Sequence, residues 1–204
     1  MPRALVPLVV LAAVVLAGCG EEPGHSEDGD GGSSSWTTYR SAKWGYAVSV
    51  PGGWRRAGGS LTPNITDPRE ILTLATVPID GVPHDNYCRP SDEPQLPDFS
   101  ERDALVTVQE GGRGSLALNY DTYRPRPERF RPERFRQGSM FTACFVDDLP
   151  VSDHWFGFSD ADRAFHVLVI VGRSAPERLR RQPWQILDSL RFDPEVRPDW
   201  EAGP

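Results

Sequence analysis

The stretch His154-Trp-Phe-Gly-Phe-Ser-Asp-Ala-Asp-Arg-Ala-Phe-His-Val-Leu-Val-Ile-Val-Gly172 decides how this chain folds. Two β-prone runs, 154–158 and 164–171, flank a polar segment at 159–163, and that pattern predicts an antiparallel hairpin. Val167 to Val171 is apolar at every position, so both faces of the second strand need cover and the strand belongs in the middle of a sheet. A helix to cover it is expected at once. Ser174 with Glu177 three residues on reads as a capping box, and Pro176 falls where a first turn tolerates proline. Leu179, Ile186, Leu187 and Leu190 then recur at helical spacing. Pro183 removes an interior hydrogen bond, so a kink or two short helices are expected.

Working towards the N-terminus, Tyr46, Val48 and Val50 alternate and stop at Pro51 with Gly52-Gly53, a strand followed by a turn. Ile71–Val77, Ala104–Glu110 and Ser139–Val146 read as three further strands. The expected class is α+β, an antiparallel β-sheet with packed helices. It forms one domain over 36–193, followed by a disordered tail at 194–204.

Ahead of that domain, Met1-Pro2-Arg3 is cationic and Ala4 to Leu16 carries no charge, the pattern of a signal peptide over 1–18. Thirteen helical residues reach only about 20 Å, short of the roughly 30 Å of a bilayer core. Leu16-Ala17-Gly18-Cys19 resembles the lipobox of bacterial lipoproteins, whose cysteine is acylated and becomes the first residue after cleavage. The resemblance implies lipidation at Cys19 and a protein held on the extracytoplasmic face of the cell membrane. Residues 19–35 lack large apolar side chains and read as a flexible acidic, Gly- and Ser-rich tether. In an exported chain the remaining cysteines, Cys88 and Cys144, are expected to form a disulfide closing a loop of about 57 residues. A metal site at His84, Asp85 and Cys88 is the rejected alternative, and neither metal nor cofactor is expected.

Tyr39-Arg-Ser-Ala-Lys-Trp-Gly-Tyr-Ala-Val-Ser-Val-Pro-Gly-Gly-Trp-Arg-Arg56 and Ile186-Leu-Asp-Ser-Leu-Arg-Phe-Asp-Pro194 resemble the two ends of the PsbP-like fold group. That group includes a photosystem subunit, a Ran-binding import factor and actinobacterial lipoproteins. The carrying residues are Tyr46, Val48, Val50, Pro51 and Trp54 early, and Ile186, Ser189, Leu190 and Phe192 late. The resemblance implies an α+β sandwich whose members mostly act by binding partners, and it transfers no functional residue.

The chemistry-bearing residues are sparse. Gly111 to Leu116 matches neither a nucleophile elbow nor a phosphate loop. Asp147, Asp148 and Asp153 lie between expected strands without calcium-loop spacing. Trp44, Trp54, Trp155 and Trp184 are expected in the core, and Trp36 and Trp200 outside it. A net charge of −7 argues against nucleic acid. The unusual feature is the pentad Arg-Pro-Glu-Arg-Phe, which occurs twice, at 126–130 and 131–135. Proline disfavours helix and strand there, so an extended surface loop is expected. Arg124, Arg126, Arg129, Arg131, Arg134 and Arg136 make it basic, and guanidinium forks suit phosphate or carboxylate. Two roles are open: an anion-recognising arm, or a loop whose Phe130 and Phe135 pack down while its charges are solvated.

The functional expectation is a non-enzymatic envelope binding module, its partner an envelope protein or anionic wall polymer. The rival is an envelope enzyme, or a carrier of carbohydrate, lipid or anionic polymer, using dispersed acids and arginines.

Overall fold

The computed structural model describes residues 35–62, 65, 67–80, 96, 98–111, 123–135, 137–138, 146 and 149–196. In chain order the elements are β1 (Trp36–Ser41), β2 (Tyr46–Pro51), β3 (Arg55–Arg56), β4 (Arg69–Ala75) and β5 (Ala104–Gly111), then β6 (Val151–Asp160), β7 (Arg163–Gly172), α1 (Glu177–Ser189) and β8 (Arg191–Phe192). They build two antiparallel sheets, one ordered β1-β2-β8 and the other β3-β4-β5-β7-β6. The class is mixed α+β, with α1 as the α-helix whose course is described.

The hairpin is tighter than its sequence suggests. Arg163 pairs with Asp160 in the ladder, so only Ala161 and Asp162 remain as the loop. Their φ values of 51° and 55° are those of a type I′ turn, whose twist matches the strands it joins. As expected, β7 is internal, lying between β5 and β6. Val167, Val169 and Val171 share a core with Ile186, Leu187 and Leu190, while Leu168 and Ile170 face a second core with Leu61, Ile79, Phe99 and Val146. The helix therefore covers one face; over the other lie Leu61, Ile79 and Phe99 from loops and Val146, which is helical where the sequence predicts the end of a strand.

The helix departs from expectation at its start and at its middle. The capping box does not form: Pro176 is the N-cap and offers no side-chain bond, while the Ser174 N–H donates to the Glu101 carbonyl at 2.9 Å. Pro183 lies inside one unbroken helical run instead of dividing it. Its ring is buried beside Gln182 and Trp184, so packing offsets the lost bond.

The two sequence ends meet in the core. Trp54 Nε1 donates to Gln182 Oε1 at 2.8 Å. The Ser49 N–H donates to Ser189 Oγ at 3.0 Å, and the Ser189 hydroxyl has the Ser49 carbonyl at 3.2 Å and the Ile186 carbonyl at 2.7 Å within reach. Phe192 stacks on Phe165 at 3.8 Å between centroids. The packed chain continues to Val196, three residues past the expected domain end, where Val196 occupies the space a side chain at Gly45 would need.

In β4 a register shift between Glu70 and Leu72 turns Glu70 and Thr73 to the same face. The Glu70 carboxylate there accepts from Ser60 Oγ, Leu61 N, Thr62 N and Oγ1, and Thr73 Oγ1, at 2.5 to 3.2 Å. The 60–62 loop is fixed over the second core by these bonds.

A buried ion pair lies where the sequence reads as loop. Arg163 and Glu110 are both 0% exposed, and Arg163 Nε and Nη2 donate to the two Glu110 oxygens at 2.5 and 2.6 Å. Nη2 also donates to the Trp44 carbonyl at 2.9 Å, and the guanidinium lies over Phe165 and Phe192. This pair ties the five-stranded sheet to the loop between β1 and β2.

Candidate functional site

The arginine segment is laid along the outer edge of β6. Pro125 bridges Ser159 and Gln137 bridges His154, with the Arg126 N–H donating to the Ser159 carbonyl at 2.9 Å and the Ser159 N–H to the Arg124 carbonyl at 3.0 Å. Proline is tolerated on such an edge, and the cover removes an open row of hydrogen-bonding groups.

The two pentads do different work. Residues five apart on an extended chain face opposite ways, but a 3₁₀ turn at Pro132–Arg134 breaks the alternation, and both phenylalanines turn inward. Phe130 is buried against Phe156 and Phe158, and Phe135 stacks on Phe156 at 3.8 Å and lies parallel to Trp184 at 6.0 Å.

The arginines divide accordingly. Arg126 turns inward: its Nη2 donates to the Leu187 carbonyl at 2.7 Å and its Nη1 to the Leu190 carbonyl and to Asp160 at 3.2 Å. Burial lowers its pKa, against the pull of Asp160. It caps the C-terminus of α1, where orphan carbonyls and the helix dipole favour a cation. Asp188 completes the clasp by accepting from the Phe130 N–H at 2.7 Å. Arg126 is thus taken out of the expected anion-recognising arm.

Arg124, Arg129, Arg131 and Arg134 remain exposed. Arg129 and Arg131 line a cleft of about 500 Å³ between the segment and α1, whose opposite wall supplies Arg180 and Arg181. Phe130 and Trp184 contribute apolar lining, and Glu133, Glu177 and Asp188 the acids. Two of those acids are engaged: Glu177 pairs with Arg181 at 2.9 Å and Arg180 at 3.6 Å, and Asp188 with the Phe130 N–H. Among the described residues Arg129 and Arg131 have no ion pair. A smaller concavity of about 340 Å³ adjoins it, lined by Pro127, Glu128, Arg129, Arg131 and Arg134.

No protein-family model matches the chain. No curated protein and no solved structure matches it either.

Of the other expected sites, Cys19, Cys88, Cys144, Arg136, His84, Asp85, Asp147 and Asp148 lie outside the described residues, as does Ser139–Phe145 of the expected strand. Asp153 is within β6. No group of three metal-ligating side chains occurs among the described residues, and no described helix is long and apolar enough to cross a membrane. Trp44, Trp54 and Trp184 are buried as expected, Trp155 is half-buried, and Trp36 is 40% exposed.

Sequence reasoning missed Arg180 and Arg181 as partners of the pentads. They sit 50 residues away on a helix whose Glu177 gives them an ordinary i,i+3 and i,i+4 solvent pairing, so nothing local sets them apart. Also missed was the pair Tyr123 and His166, whose hydroxyl and Nε2 are hydrogen-bonded across the second face of the sheet. Burial pushes His166 down to about 4, and burial also lowers His154.

Proposed function

We propose that this chain is a lipid-anchored, extracytoplasmic binding module that holds an anionic component of the cell envelope in the cleft between the arginine segment and α1. The observation that carries the reading is the meeting of Arg129 and Arg131 with Arg180 and Arg181 around one apolar-lined cleft, on a chain whose net charge is −7. Four guanidiniums against three carboxylates leave the cleft a small positive excess on an acidic protein, which draws anions there and away from the rest of the surface. Guanidinium forks bind phosphate and carboxylate bidentately, and the neighbouring rings reduce competition from water.

The anchor reading rests on Leu16-Ala17-Gly18-Cys19, and acylation there with two chains gives stable attachment. The PsbP-like sandwich is part of the same proposal. Its support is that Val48, Val50 and Trp54 pack with Ile186, Leu190 and Gln182, so the resembling segments form one interior. Binding and not catalysis is the activity assigned, with no cofactor.

Co-sedimentation of the purified full chain with isolated bacterial cell walls tests the site. The wild type is expected to pellet and to be released by salt, while Arg129→Ala/Arg131→Ala/Arg180→Ala stays in solution. Equal pelleting of both, or no pelleting of the wild type, contradicts the proposal.

A further inference from the structure

We infer that the ligand of this cleft is a linear phosphodiester polymer that engages several arginines in succession, an inference that rests on the anion-binding reading and narrows it. Three features of the surface carry it. The two concavities, of about 500 and 340 Å³, adjoin each other and share Arg129 and Arg131. A lone phosphate is far smaller than either; a chain with repeated charges runs through both and meets Arg180 and Arg181 on one side and Arg134 on the other. The segment that presents Arg129, Arg131 and Arg134 is pinned at both ends, by Arg126 on the carbonyls of α1 and by Phe135 on Phe156. Its backbone is set before a ligand arrives, which lowers the ordering cost of binding.

The third feature is the interleaving of acids. Glu128 lines the smaller concavity and Glu133 the larger. A flat anionic membrane pressed on this surface sets its charge against those carboxylates. A flexible chain threads between them, placing its phosphates on the guanidiniums and its neutral polyol or sugar units beside the acids. Successive phosphates on one chain also act at high effective concentration for one another, so a polymer binds more tightly than its monomer by about a hundredfold or more.

The test is fluorescence anisotropy of a labelled poly(glycerol phosphate) oligomer titrated with the full chain, with glycerol 3-phosphate, polyglutamate and phosphatidylglycerol vesicles as competitors. Expected are saturable binding that weakens with salt, roughly tenfold or greater weakening in Arg129→Ala/Arg131→Ala, and monomer competition only at a large excess. Monomer competition at equal phosphate concentration overturns the polymer inference and leaves the anion site standing. Polyglutamate competing as well as the oligomer overturns phosphate as the recognised group. Capture by vesicles without oligomer binding overturns it in favour of a membrane surface. Binding to none of the four removes the anion-binding reading itself. Circular dichroism of the variant, expected to match the wild type, separates lost binding from lost folding.

Discussion

Arg126 reaches from the first pentad to the Leu187 carbonyl, 2.7 Å away, and so makes an edge-covering loop into the C-terminal cap of the protein's described α-helix. One side chain thereby joins the element that carries the exposed arginines to the element that forms the opposite wall of the cleft. The consequence is that the cleft's shape depends on a residue that does not line it.

Arg126→Ala is expected to destabilise the fold by about 1 to 2 kcal/mol, the scale of a charge-assisted hydrogen-bond set whose carbonyl acceptors keep the Leu190 N–H and Arg191 as partners. Lysine restores the charge without the fork and recovers only part of the loss. Urea denaturation reads both, and a change below about 0.5 kcal/mol for the alanine variant contradicts the capping role.

Removing one member of the Arg163 and Glu110 pair is expected to cost about 3 to 5 kcal/mol, because the other charge stays buried without a partner. Replacing both together, Arg163→Met with Glu110→Leu, is expected to recover most of that cost. Equal losses in the single and double variants contradict the pairing.

Two glycines are required for different reasons. A Cβ at Gly172 falls 2.1 Å from the Glu101 carbonyl carbon and oxygen, whereas one at Gly157 falls 1.8 Å from Tyr123 Cε1. Backbone yields less readily than a ring, so Gly172→Ala is expected to lower the melting temperature more than Gly157→Ala. The second variant instead displaces Tyr123 from His166, visible in the His166 ring signals by NMR. The reverse order of melting temperatures contradicts this packing.

His166 titrates near 4 when folded, because burial disfavours its charged form, against about 6.5 unfolded. Between those values the unfolded chain binds a proton that the folded chain does not. Its contribution to stability is therefore complete above about pH 6.5 and is lost as the pH falls through about 4. His154 acts in the same direction. The urea midpoint is expected to drop from pH 7 to pH 4.5, and to drop less in His166→Gln. An identical drop in both contradicts the assignment.

The sheet was largely legible because alternation and apolar runs report burial directly: Tyr46, Val48 and Val50, and the unbroken Val167–Val171, all lie where their pattern requires. Charged residues were not legible in that way. Arg163 follows Ser-Asp-Ala-Asp and has the composition of a solvent loop; only the register that sets Glu110 opposite Phe165 makes it a core residue. Within the repeat, Arg126 and Arg131 hold the same pentad position, yet one is half-buried and bonded to α1 while the other is exposed. No local pattern distinguishes them, because the difference comes from where the helix ends. The capping box failed for a related reason: an extended Pro176 moved the N-cap two residues past Ser174.

The most direct test of the binding cleft is hydrogen–deuterium exchange of the full chain with and without a saturating poly(glycerol phosphate) oligomer. Slowed exchange is predicted, confined to peptides spanning 128–135 and 177–188, the two walls of the cleft. Unchanged exchange there, with protection appearing on β1 or around the 60–62 loop, contradicts it.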